Sequence, residues 1–153
     1  MNIARIKLAA AALLLACLVL PEYTCTKYVG PDGKTVSAVP EGAPAAPYRE
    51  IRESHYPLES FDVRDGGYWL RLLVFTWPLP VLAYLWRGTR GWLRRLVWLA
   101  EPLLSVLSAY AVLMSSSLGT RAVGAYLAMG ANAGYLCAWV AEFWQKRKLS
   151  RHA

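Results

Sequence analysis

Residues 68–86 read YWLRLLVFTWPLPVLAYLW, from Tyr68 to Trp86, and the way this run is taken decides the fold. It carries a single charge, Arg71, and its length matches the roughly 17–25 apolar residues of a helix that crosses a bilayer. Pro78 and Pro80 remove two backbone donors and predict a kink within it. Three further apolar runs stand around it: Ile3 to Leu20, Leu96 to Met114, and Ala122 to Trp144. Read together, the four predict an all-α integral membrane protein of about four transmembrane helices. Residues 1–20 form a signal-anchor or lipoprotein signal, 21–67 an extracytoplasmic loop, 68–144 a three-helix transmembrane region, and 145–153 a basic tail.

Composition points the same way. The chain of 153 residues is 56% hydrophobic and 18% charged, against about 25% charged residues in soluble domains. The net charge of +7 is unevenly placed. Residues 21–67 hold five basic and eight acidic side chains, and the remainder holds twelve basic and two acidic. The basic residues cluster at the ends of apolar runs: Arg5 and Lys7, then Arg87, Arg90, Arg94 and Arg95, then Lys146, Arg147, Lys148 and Arg151. Lys and Arg are retained on the cytoplasmic side of short loops. The expected arrangement is therefore a multi-pass protein of the bacterial inner membrane with both termini cytoplasmic, unless the N-terminal segment is cleaved. Because every basic cluster flanks an apolar run, the pattern argues for a lipid bilayer as partner and against nucleic acid.

At the N-terminus a basic stretch with Arg5 and Lys7 precedes a short apolar region, the layout of a signal segment. Leu14-Leu15-Ala16-Cys17 resembles the lipobox of bacterial lipoproteins, which implies lipidation at Cys17. The four residues depart from the usual pattern at Leu15 and in the apolar Leu18-Val19-Leu20 that follows. Cys25 lies eight residues on, Cys137 lies in the last apolar run, and no C-x-x-C or metal-binding spacing occurs.

In the loop, Tyr23 to Val29 and Lys34 to Val39 flank Gly30-Pro31-Asp32-Gly33, which predicts a β-hairpin. Val39 to Pro47 reads as a stiff linker. Tyr48 to His55 reads as a short helix with Arg49 and Glu53 four apart.

Polar groups inside apolar runs are functional candidates by default. Ser105 and Ser108 share a helical face with Glu101, and with Asn132 they form the intramembrane polar set. Pro102, next to Glu101, is compatible with a new helix starting there. The stripe is read either as a packing seam or as the lining of a transport path. Gly130 and Gly134 make a G-x-x-x-G, and with Ala138 and Ala141 they form a small-residue helix-packing surface.

No phosphate loop, nucleophile elbow or clustered ligand set is present. His55 and His152 stand apart, and Asp62 with Asp65 is too little for a cation site. The expectation is a non-enzyme without cofactor: an accessory, assembly or exclusion factor acting through helix contacts with another membrane protein or with itself. The alternative is a small transport or channel subunit that uses the polar stripe.

Overall fold

A computed structural model of the chain describes residues 2–39, 48–58, 66–87 and 91–149. The elements are α1 (Ile3–Cys17), β1 (Tyr23–Val29), β2 (Thr35–Val36), β3 (Arg49–His55), α2 (Gly66–Thr76), α3 (Pro78–Trp86), α4 (Trp92–Ser115), a 3-10 turn (Ser116–Leu118), β4 (Thr120–Arg121) and α5 (Val123–Leu149). Among the described residues the fold is a mixed one, with five helices and a four-stranded antiparallel sheet. This corrects the expected all-α protein of four transmembrane helices.

The run from Tyr68 to Trp86 is where the expectation fails first. It divides into α2 and α3, which bend by 48°. Pro78 sits at the start of α3 and has no N–H to return to the carbonyl of Val74, four residues back. That orphaned carbonyl accepts a hydrogen bond from the Ser108 hydroxyl of α4 at 2.7 Å instead. A proline kink is thus locked by a serine from another helix.

The other runs fail by length or composition. α1 has 15 residues, about 22 Å at 1.5 Å per residue, which falls short of a hydrocarbon core of roughly 30 Å. It stops because Leu18, Val19 and Leu20 close tight turns onto Leu15, Ala16 and Cys17 ahead of Pro21. α5 has 27 residues, but nine of them are alanine or glycine and the helix is interrupted by Asn132, Glu142 and a basic end. Among the described residues only Trp92–Leu118, α4 with its 3-10 turn, is long and apolar enough to cross a membrane, or two spans if the bent α2–α3 pair counts as one. The multi-pass arrangement in a bacterial inner membrane, with both termini cytoplasmic, is overturned by the same observation.

Within the sheet, β1 is central. β3 pairs along its whole length, from Tyr23 opposite His55 to Val29 opposite Arg49. The opposite edge is shared by β2, at Tyr28 and Val29, and β4, at Tyr23 and Thr24. The expected turn at residues 30–33 is present: Gly33 adopts φ +77°, and the Gly30 amide donates to the Lys34 carbonyl at 2.9 Å.

Residues 49–55, read as helical, form a strand instead. Glu53 reaches across to Lys27 rather than back to Arg49, and the rings of Tyr23 and His55 stack 4.7 Å apart. A two-stranded hairpin is marginal by itself, and β3 with β4 supplies the support that neighbouring sequence does not. The linker expected over Val39 to Pro47 falls, apart from Val39, outside the described residues, as do Asp62, Asp65, Arg90, Arg151 and His152.

The helices stand over one end of the sheet. Gly119 and Gly124 are close-approach points, where a Cβ would lie 2.6 Å from the carbonyl oxygens of Thr24 and Pro21 respectively. Alanines of α1 and α5 let these two helices run against each other, with Leu14, Phe75, Val112, Ala125 and Ala128 in one buried cluster. Ala11, Trp77, Leu82 and Tyr135 form a second.

Candidate functional site

Lys7 and Glu101 are the least expected residents of this interior. The Lys7 side chain is 4% exposed and that of Glu101 is not exposed at all, and they form an ion pair. The ammonium of Lys7 also donates to Glu142 at 2.7 Å, and Glu142 in turn pairs with Lys146, one turn further along α5, at 2.6 Å. Two lysines and two glutamates from α1, α4 and α5 therefore alternate in sign. Beneath them lies Tyr135, whose ring centroid is 5.5 Å from the Lys7 ammonium. Glu101 Oε1 and the Tyr135 hydroxyl are buried without a hydrogen-bond partner among the described residues.

Below Glu101 the polar stripe of α4 is used within the molecule. Ser105 donates to the backbone carbonyl of Asn132 at 2.9 Å. The Asn132 amide donates to Ser108 at 3.1 Å and to the Ala128 carbonyl at 3.0 Å. With the bond from Ser108 to Val74, this seam joins α5 to α4 and α4 to α2. Glu101, Ser105, Ser108 and Asn132 are all buried, and the last three are joined by hydrogen bonds that no spacing within one helix could indicate. Pro102 lies inside α4 and does not begin a new helix.

The small-residue set divides. Ala138 is buried and Ala141 half-buried, whereas Gly130 is exposed and Gly134 half-exposed, with nothing within 4 Å of a Cβ built on either glycine. Cys17 is a free thiol enclosed in the Leu14 cluster, and burial pushes its pKa up. Lipidation there requires that side chain to leave the core. Cys25 and Cys137 are also free thiols.

Sequence reasoning passed over two residues. In the sequence Lys7 belongs to the basic stretch ahead of the first apolar run, yet in the structure it is the counter-ion of Glu101. Spacing alone could not join positions 94 residues apart. Glu22 was not singled out, although it is buried where α4 meets the sheet and accepts a hydrogen bond from Ser115. Its amide donates to the His55 carbonyl at 2.8 Å, and its own carbonyl accepts from Ala122 at 3.0 Å.

Burial pushes the Glu22 carboxyl above its ordinary value, against the opposing effects of Ser115 and Arg71. A raised folded-state pKa means that the folded chain holds this proton more tightly than the unfolded one. The stabilisation is complete below the ordinary glutamate value near 4.5 and is lost as pH rises through the raised value. Glu22→Gln is expected to remove this loss, so that wild type and variant diverge as pH climbs from 4 to 8. Denaturant unfolding across that range checks it, and parallel curves for the two proteins would contradict the assignment.

Comparison with known protein families, curated proteins and solved structures gives no match. Among the described residues no group of three or more His, Cys, Asp or Glu is placed to hold a metal ion.

Proposed function

We propose that this chain is a non-catalytic accessory or assembly factor that works by packing α5 against an apolar helix of a larger membrane assembly. The observation that carries this reading is the open face of α5. Gly130 and Gly134 lie one turn apart, a Cβ on either meets nothing within 4 Å, and the exposed Cys137 and Tyr126 continue the same face. Helices that associate in apolar surroundings use such stretches because small residues let two backbones approach closely.

Two further observations support it. The outward face of α4 keeps Leu103, Leu107 and Tyr110 each more than half exposed. An apolar surface of that extent calls for an apolar cover. In addition, the hydroxyls of Ser105 and Ser108 and the amide of Asn132 are spent on bonds inside the molecule. That use suits a structural seam better than the lining of a transport path.

Gly130→Leu and Gly134→Leu are expected to weaken association with the partner at least 10-fold without lowering thermal stability, since a Cβ at either position meets open space and leucine is the better helix former. Photocrosslinking in cells from positions 130, 134 and 137, read by mass spectrometry, measures the association. Crosslinks confined to this chain's own α1 to α4, or equal capture by the leucine variants, would sink the reading.

A further inference from the structure

At the end of the helices remote from the sheet, α1, α3, α4 and α5 line a half-open cavity of about 1000 Å³. Its charges are one-sided: Lys7, Arg94, Arg95, Lys146 and Arg147 line it against Glu142 alone. Its walls are apolar, made by Leu82, Leu85, Leu99, Trp98 and Phe143. The volume is at the upper end of what small-molecule sites enclose. A solvated basic face needs no apolar walls, and an ordinary apolar pocket needs no ring of cations.

The position of the cations discriminates further. Lys146 and Arg147 stand in the last turn of α5, where the negative end of a helix favours them. Arg94 and Arg95 have no such reason, because they lie at the start of α4, the positive end of a 24-residue helix. That end has no side-chain cap and no acid in its first turn. The first turn of α1 also lines the cavity, at Asn2, Ile3 and Ala4, and lacks both features as well. Two positive helix ends and two arginines thus converge on one space, and among the described residues no carboxylate pairs with either arginine. Lys7 and Lys146 already share Glu142, so the positive charge that remains for a ligand is centred on Arg94 and Arg95.

The geometry points to a binding site for an anionic phospholipid, its phosphate held by Arg94 and Arg95 and its acyl chains laid along Leu82, Leu85, Leu99 and Phe143. Arginine suits the head, since its planar fork engages phosphate oxygens in pairs. Basic pockets between helices at a membrane face take acidic lipid heads by the same physics. Trp98 places an indole between head and tail, the level at which tryptophan partitions. This inference is independent of the packing surface on α5.

The test uses the full chain in neutral detergent and follows tryptophan fluorescence during titration with short-chain phosphatidylglycerol, phosphatidylcholine of the same chain length, and inorganic phosphate. Phosphatidylglycerol is expected to bind at least 10-fold more tightly than either of the others, and to weaken as salt rises. Arg94→Gln with Arg95→Gln is expected to lose at least 10-fold in affinity, while Arg49→Gln with Arg52→Gln, on the exposed β3, loses nothing. Equal binding of phosphatidylcholine would overturn the charge assignment, and equal binding of inorganic phosphate would overturn the lipid as its source. An equal loss in the β3 variant would reduce the effect to unspecific attraction. A phospholipid bearing a photoreactive acyl chain, applied to the unmodified protein, gives a reading that does not depend on how the variants fold. Labelling of peptides around residues 82–85, 99 and 143 is expected, and labelling confined to the outward face of α4 would overturn the site.

Discussion

Lys7→Met is expected to destabilise the fold by about 3–5 kcal/mol, the cost of removing one partner from a buried ion pair. The magnitude follows from Glu101, which has no solvent exposure and loses the one ion-pair partner it has among the described residues. At roughly 2–4 °C per kcal/mol for a chain of this size, the melting temperature falls by on the order of 10 °C. The reciprocal change, Glu101→Gln, is expected to cost less, because Lys7 keeps Glu142 at 2.7 Å and glutamine still accepts a hydrogen bond. Lys7→Met combined with Glu101→Leu removes both charges together and is expected to recover most of the loss, since apolar groups of similar volume replace a buried ion pair at little cost. Thermal unfolding of the three variants checks the order. A Lys7→Met protein as stable as wild type would show that the pair is dispensable, and a double variant no better than Lys7→Met would show that the lysine matters for packing rather than charge.

The difference between Lys7 as a flank and Lys7 as a core residue shows where sequence reading ran out. Hydropathy located the helices well: α1, α4 and α5 each lie largely within runs marked as apolar, and the turn at residues 30–33 was legible because Pro31 and Gly33 have local geometric meaning. The polar stripe was legible too, since Glu101, Ser105 and Ser108 follow helical periodicity within one element. Whether a run amounts to a span was not legible. Pro78 announced a bend, but the 48° break depends on Ser108 of another helix taking up the Val74 carbonyl.

The sheet was hidden for a similar reason. Residues 49–55 place charged groups in adjacent pairs, Arg49-Glu50 and Arg52-Glu53, with no alternation to mark a strand, and pairing with β1 decides the matter. β4 is two residues long and joins β1 from almost a hundred residues away, so no local signal marks it. The candidate site was half visible. Glu101 stood out against apolar surroundings, whereas Lys7 looked like a border residue because the border of a run and the interior of a fold coincide only in three dimensions.

Leu14→Ala is expected to destabilise by about 2–5 kcal/mol, whereas Leu13→Ala, one position earlier, is expected to cost well under 1 kcal/mol. The two residues have the same chemistry and the same helix. They differ in burial: Leu14 has no exposure and touches the cluster of Phe75, Val112 and Ala128, while Leu13 is 36% exposed. Removing three side-chain carbons at position 14 takes away their transfer energy and leaves a cavity that the alanines around it cannot fill by moving inward. The comparison tests more than one side chain, because a leader read only by its hydropathy has no reason to distinguish the two leucines. Equal losses at 13 and 14, measured by denaturant unfolding, would mean that α1 is held by its general apolarity. A large loss at 14 alone makes α1 a core helix, on which the Lys7–Glu101 pair and the far cavity both depend.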